Sequence, residues 1–133
     1  MFNVIIFGVT TLGSKTNVIQ EVLEEFRNTV PGVEGACLVS GDGLMIASAL
    51  PAGIEEDRIA AMAAAILSLG ERVTGELNRG AFGEVYVRGD KGYVVISEVG
   101  KEAVLVTIAS KDVKLGLLFL DMRRAADRIK EVL

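Results

Sequence analysis

The sequence predicts one mixed α/β domain: a five-stranded, mainly antiparallel sheet with helices packed on it. Three observations carry this. The chain has 133 residues, enough for one ordinary core and too few for two. Its apolar residues repeat at helical spacing in three segments and gather into short strand-like runs in five others. Tight-turn signals join those runs, so neighbours within each group run antiparallel. The predicted order is α-β-β-α-β-β-β-α.

The first helix is expected to open at Asn17, an N-cap residue with Gln20 three positions on, as in a capping box. Val18, Ile19, Val22, Leu23 and Phe26 form its apolar side, and Pro31-Gly32 stops it. Two strands follow, Ala36 to Ser40 and Leu44 to Leu50, with Gly41-Asp42-Gly43 as the hairpin turn. A long helix then runs from about Glu55 to Arg79, acidic at its positive end and capped by Gly80. Phe82 to Arg88 alternates apolar and polar residues and reads as an edge strand. Gly89-Asp90-Lys91-Gly92 turns the chain into Tyr93 to Val99. Ala103 to Ala109 is almost wholly apolar, which suits a central strand buried on both faces. Ser110 or Asp112 is expected to cap a last helix, its buried stripe marked by Leu118, Met122, Ala125, Ile129 and Leu133.

Composition excludes several classes of chemistry. Fourteen basic against eighteen acidic residues give a net charge of −4, with no basic run to neutralise phosphates. Nucleic acid is therefore not an expected partner. Histidine is absent, which removes Ser-His and Cys-His nucleophile systems and imidazole metal sites. Cys37 is the one cysteine; it can form no intrachain disulfide and no zinc cluster, and it reads as a small buried hydrophobe. The apolar start, Met1 to Val9, lacks a basic leader and is too short to span a bilayer. The expectation is a cytoplasmic protein that binds rather than catalyses, with no cofactor, no metal and no membrane contact.

The long helix is the most informative segment. Ile59, Met62, Ile66, Leu69, Val73 and Leu77 share one side, read as the side that covers the sheet. The opposite side carries Ala61, Ala64, Ala65, Ser68, Arg72, Gly75 and Arg79, with no charge between Ile59 and Gly70. A surface helix should be charged outside. Either a second copy or another protein covers this side, or the first or last helix of the same chain does. An edge strand directly after the helix favours an isologous dimer, edge beside edge and helix beside helix.

The run from Val33 to Ser48, VEGACLVSGDGLMIAS, together with the Ala-rich long helix and the strands from Glu84 to Ala109, resembles the roadblock family. That family includes roadblock-type dynein light chains and small bacterial and archaeal regulators of Ras-like GTPases. The likeness covers about Val18 to Leu133, so residues 17–133 would be the roadblock-like domain. Residues 1–16 would be an arm without a clear counterpart, open as an extra strand, an oligomer contact or a disordered start. The resemblance implies a homodimer joined through the third strand and second helix. Its interface would hold Ala61, Ala64, Ala65, Ser68, Gly75, Glu84, Tyr86 and Arg88. It further implies a non-catalytic adaptor that binds a Ras-like GTPase and regulates it, stimulation of hydrolysis being one form. Arg72 and Arg79 are the candidate partner-binding residues, against the plainer reading that they are solvated charges or pair with Glu71 and Glu76.

Other motifs are set aside. Gly8 to Thr16 resembles a phosphate-binding loop, and Leu117 to Asp121 a run ending in a Mg²⁺-binding Asp. Ser14, however, displaces Lys15 by one position, and hairpins join most strands where a phosphate-loop fold needs parallel crossovers. Glu24-Glu25 and Glu55-Glu56-Asp57 sit where solvent faces and helix starts want them. Met45, Met62 and Met122 read as core. The alternative function is a small-molecule sensor, or a motor or scaffold interaction domain, of similar architecture; an enzyme is the least supported class.

Overall fold

The computed structural model describes residues 2–133, and side chains from Lys15 onward. The element order matches the expectation: α1 (Phe2–Thr29), β1 (Val33–Ser40), β2 (Met45–Ala49), α2 (Glu56–Glu76), β3 (Glu84–Gly89), β4 (Gly92–Val99), β5 (Ala103–Ser110) and α3 (Leu115–Lys130). The strands form one sheet in the order β2-β1-β5-β4-β3, and every neighbouring pair is antiparallel. The apolar strand β5 lies in the middle and β3 at an edge, as its alternation predicts.

The sheet separates two cores. On one face α1 and α3 pack together through Ile19, Val22, Leu23 and Phe26 against Leu118, Met122, Ala125 and Ile129. Their floor is Leu38, Val95, Val99 and Leu105. On the other face α2 is the one helix whose described residues pack there, with Ala60, Ala63 and Leu67 over Cys37, Val39, Ile96, Val104 and Val106. The central strands therefore bury both sets of alternating side chains.

Boundaries shift where local chemistry decides them. Asn17 does not cap a helix, because α1 is already helical there; Gln20 instead reaches β2. Residues 2–16, expected as a separate arm open to an extra strand, continue α1 as helix, while Met1 and the side chains of residues 2–14 lie outside the described residues. The last helix is preceded by Lys114, without a side-chain cap, so neither Ser110 nor Asp112 plays that part. Leu133, placed on its buried stripe, is exposed. The β1–β2 turn closes with the Ser40 N–H donating to the Leu44 carbonyl at 2.9 Å and the Gly43 N–H to the Ser40 carbonyl at 3.0 Å. Within that turn Gly43 takes a left-handed φ of 87°. α2 ends at Glu76, three residues short of Arg79, where Asn78 turns left-handed at φ 55°.

Candidate functional site

The orientation of α2 decides the surface this domain presents. The helix is turned by about a quarter of its circumference from the expected orientation, at about 100° per residue. The sheet-facing stripe is Ala60, Ala63, Leu67 and Gly70, and the side expected to face outward stays outward apart from half-buried Ala64. Small side chains let the helix approach the sheet closely, and Phe82 fills the space beside Gly70. A Cβ on Gly70 would collide with the Phe82 ring. The bulky residues assigned to the core instead face outward: Met62 is 49% exposed, Leu69 60%, Val73 46% and Leu77 63%. Ile59 and Ile66 sit half-buried at the border. Met62 thus departs from the core reading given to the methionines, while Met122 is buried and Met45 half-buried.

Neither α1 nor α3 covers this outward stripe with any described side chain, since both pack on the opposite face of the sheet. The choice between an internal cover and an external one is settled against the internal one for the described residues.

The residues singled out from sequence fall into three places. Ala61, Ala65, Ser68 and Gly75 are exposed on α2. Ala64 is half-buried and turned toward the β1–β2 turn, where a Cβ on Gly43 would come within 3.6 Å of its methyl. Glu84, Tyr86 and Arg88 lie on β3, but they point to the α3 side of the sheet. Tyr86 is 52% exposed, its ring centroid 6.1 Å from Tyr93 and 6.3 Å from Phe119. On the α2 side, β3 instead presents Val85, half-buried, and Val87, 50% exposed. Sequence reasoning noted their alternation but left these two valines out of the surface.

Both arginines make contacts within the chain. Arg72 pairs with Glu76 at 3.6 Å, both side chains well exposed, which contributes little to stability. Arg79 lies beyond α2 and donates from Nε to the Leu77 carbonyl at 2.9 Å.

The two outer strands differ in their free backbone groups. On β2, the Gln20 side chain donates to the Ser48 carbonyl at 2.5 Å and accepts from the Ser48 N–H at 3.3 Å. Ser48 also donates through its hydroxyl to Glu56 at 2.6 Å. On β3, the Glu98 N–H donates to the Gly83 carbonyl at 3.0 Å. The antiparallel register continues from there, with Val85 opposite Ile96 and Val87 opposite Val94. Odd-numbered residues therefore bond β4, and the N–H and C=O groups of Glu84, Tyr86 and Arg88 point away from the sheet. No described strand meets them.

Burial raises the Cys37 thiol from 9.0 to about 12, with the Glu56 carboxylate adding to the shift, so the reactive thiolate is suppressed. Among the described residues no group of three His, Cys, Asp or Glu side chains is placed to hold a metal ion. No described helix is long and apolar enough to cross a membrane. The phosphate-loop reading of Gly8 to Ser14 lies outside the described side chains, and Leu117 to Asp121 runs along α3.

The fold is a two-faced α/β sandwich with one edge open and one apolar helix side uncovered among the described residues. The chain belongs to the Roadblock/LC7 domain family, whose model matches residues 19–109. An uncharacterised protein of Methanocaldococcus jannaschii is 36% identical over 113 residues, 85% of this chain and 97% of that relative. Among solved structures, Myxococcus xanthus MglB is similar with a TM-score of 0.82 at 22% identity, covering 88% of each chain. A Roadblock/LC7 domain from Streptomyces avermitilis is similar at 0.79 and 22% identity, covering 84% of this chain and 94% of the other.

Proposed function

We propose that this chain is a non-catalytic homodimeric adaptor that binds and regulates a Ras-like small GTPase. One observation carries the reading: α2 exposes Met62, Leu69, Val73 and Leu77 on the sheet face that also holds Val87 at the open edge. Several large apolar side chains exposed on one face mark an interaction site. Pairing of β3 with its counterpart in a second copy would bring the two α2 helices side by side. Roadblock-type regulators are expected to engage GTPases across such a pair, acting on the partner's own switch loops and nucleotide machinery. Arg72 and Arg79 border this surface and are the charged residues placed to meet the partner.

The test uses the purified chain as bait in a lysate of its native cell. One lane holds GDP, the other a non-hydrolysable GTP analogue, and mass spectrometry reads the captured proteins. Enrichment of one Ras-like GTPase with the analogue supports the proposal, and loss of that capture in Leu69→Glu places the contact on α2. A hydrolysis assay with that GTPase then separates stimulation from simple tethering. Capture of motor or scaffold components without a GTPase overturns the regulatory reading in favour of an adaptor of another kind. Ala65→Glu tests the helix contact within the dimer: this exposed position should yield a monomer by sedimentation.

A further inference from the structure

The geometry points to one register for the pairing of two copies: antiparallel β3 strands whose two-fold axis passes through Tyr86. Glu84 of each copy then lies opposite Arg88 of the second copy. This rests on the dimeric reading above and specifies the code by which one edge accepts another.

The backbone limits the choices. Only Glu84, Tyr86 and Arg88 direct N–H and C=O groups outward, as the Glu98 to Gly83 bond and the β3–β4 register require. A symmetric antiparallel pair matches residues at equal distances from its axis. An axis between two residues would set an outward group against an inward one, so the axis passes through a residue.

Side-chain charge selects among the residues. With the axis at Glu84, two carboxylates face each other; at Arg88, two guanidinium groups do. With the axis at Val87, Glu84 meets Asp90 of the second copy. With the axis at Val85, Glu84 meets Tyr86, and Arg88 is left opposite Phe82, outside the strand. With the axis at Tyr86, all three outward residues are used on each copy, and two opposite-charge pairs form. On the α2 side, Val85 then meets Val87 of the second copy. Sequence symmetry matches: Glu-Val-Tyr-Val-Arg is complementary to itself when reversed. Glu84 and Arg88 are exposed, and neither belongs to any ion pair among the described residues.

Positions 84 and 88 of one chain lie about 13 Å apart along an extended strand. Coupling between them therefore has to pass through a second copy. Sedimentation equilibrium of the full chain comes first. A mass of one copy at all concentrations refutes the dimeric reading and the register with it. Given a dimer, Glu84→Arg and Arg88→Glu are each expected to raise its dissociation constant on the order of tenfold, by replacing cross-strand attraction with repulsion. The double variant Glu84→Arg/Arg88→Glu should return to within about threefold of the parent. A wild-type dimer whose single variants are unchanged, strengthened, or not rescued by the double refutes the register while the dimer stands. Cysteine cross-linking gives a second readout. Under mild oxidation Val85→Cys mixed with Val87→Cys should form a disulfide between copies, and neither alone should. Self-linking of either single variant moves the axis onto that residue.

Discussion

The two edges of the sheet solve the same problem in opposite ways. β2 is short, its pairing with β1 shifts register between Leu38 and Val39, and Gln20 holds both outward backbone groups of Ser48. β3 keeps an unbroken register over six residues and leaves its outward groups unclaimed by any described strand. An unprotected, regular edge is a liability that proteins normally blunt with bulges or a covering element. Blunting one edge and sparing the other teaches that the openness of β3 is selective within one sheet.

The sharpest way to break the comparison is a proline that respects the ladder. Tyr86→Pro removes an outward donor without touching a β4 bond, so it should abolish self-association by light scattering and leave the circular dichroism spectrum unchanged. Val87→Pro removes an inward donor instead and should lower fold stability itself. Next in size is the packing that sets α2 at its distance from the sheet. Gly70→Ala gains about 1 kcal/mol of helix propensity but drives Phe82 out of place, an overpacking that costs about 1–3 kcal/mol. Urea unfolding should show a net loss, recovered in part by adding Phe82→Leu.

Closing the comparison from the other side, Gln20→Ala should expose the β2 edge. It leaves two part-buried backbone groups of Ser48 without partners, at about 1–3 kcal/mol for an unsatisfied group. Concentration-dependent aggregation should appear with it.

The inner strands give the smallest effects. Cys37 in β1 should resist a thiol reagent until the chain unfolds. Its folded pKa lies above its unfolded one, so the unfolded chain loses that proton first as pH rises. Its contribution is complete below about pH 9 and disappears as pH climbs toward 12. Cys37→Ala should flatten that part of the alkaline stability profile. Thr107 in β5 is fully buried with its hydroxyl unpartnered. Thr107→Val should be neutral or stabilising by up to about 1 kcal/mol in urea unfolding.

Strand order near the middle of the sheet was legible because Ala103–Ser110 is apolar on both faces, and only a central strand tolerates that. The edge position of β3 was legible from the polar Glu84 and Arg88 between its valines. The orientation of α2 was not. Periodicity separates a bulky stripe from a small one, but the stripe that faces the sheet, Ala60, Ala63, Leu67 and Gly70, lies beside the bulky one, and the whole bulky stripe was taken as the buried side. The deciding clue was Gly70 with Phe82 twelve positions later, a contact that exists only after the chain folds back. Gln20 was misread for a related reason. A capping box is a local pattern, whereas its amide serves Ser48, twenty-eight residues away.

The Gln20 clamp also has a consequence for stoichiometry. A sheet with two receptive borders can add units at either end and grow without limit, which is how fibres begin. With the β2 border occupied from within the chain, addition through β3 uses up the receptive border of both participants. The paired product would present a clamped strand at each outer side, so growth would stop after a single step. Under the proposed β3 pairing, one glutamine on the first helix would thereby act as a chain terminator, favouring a pair over a growing sheet.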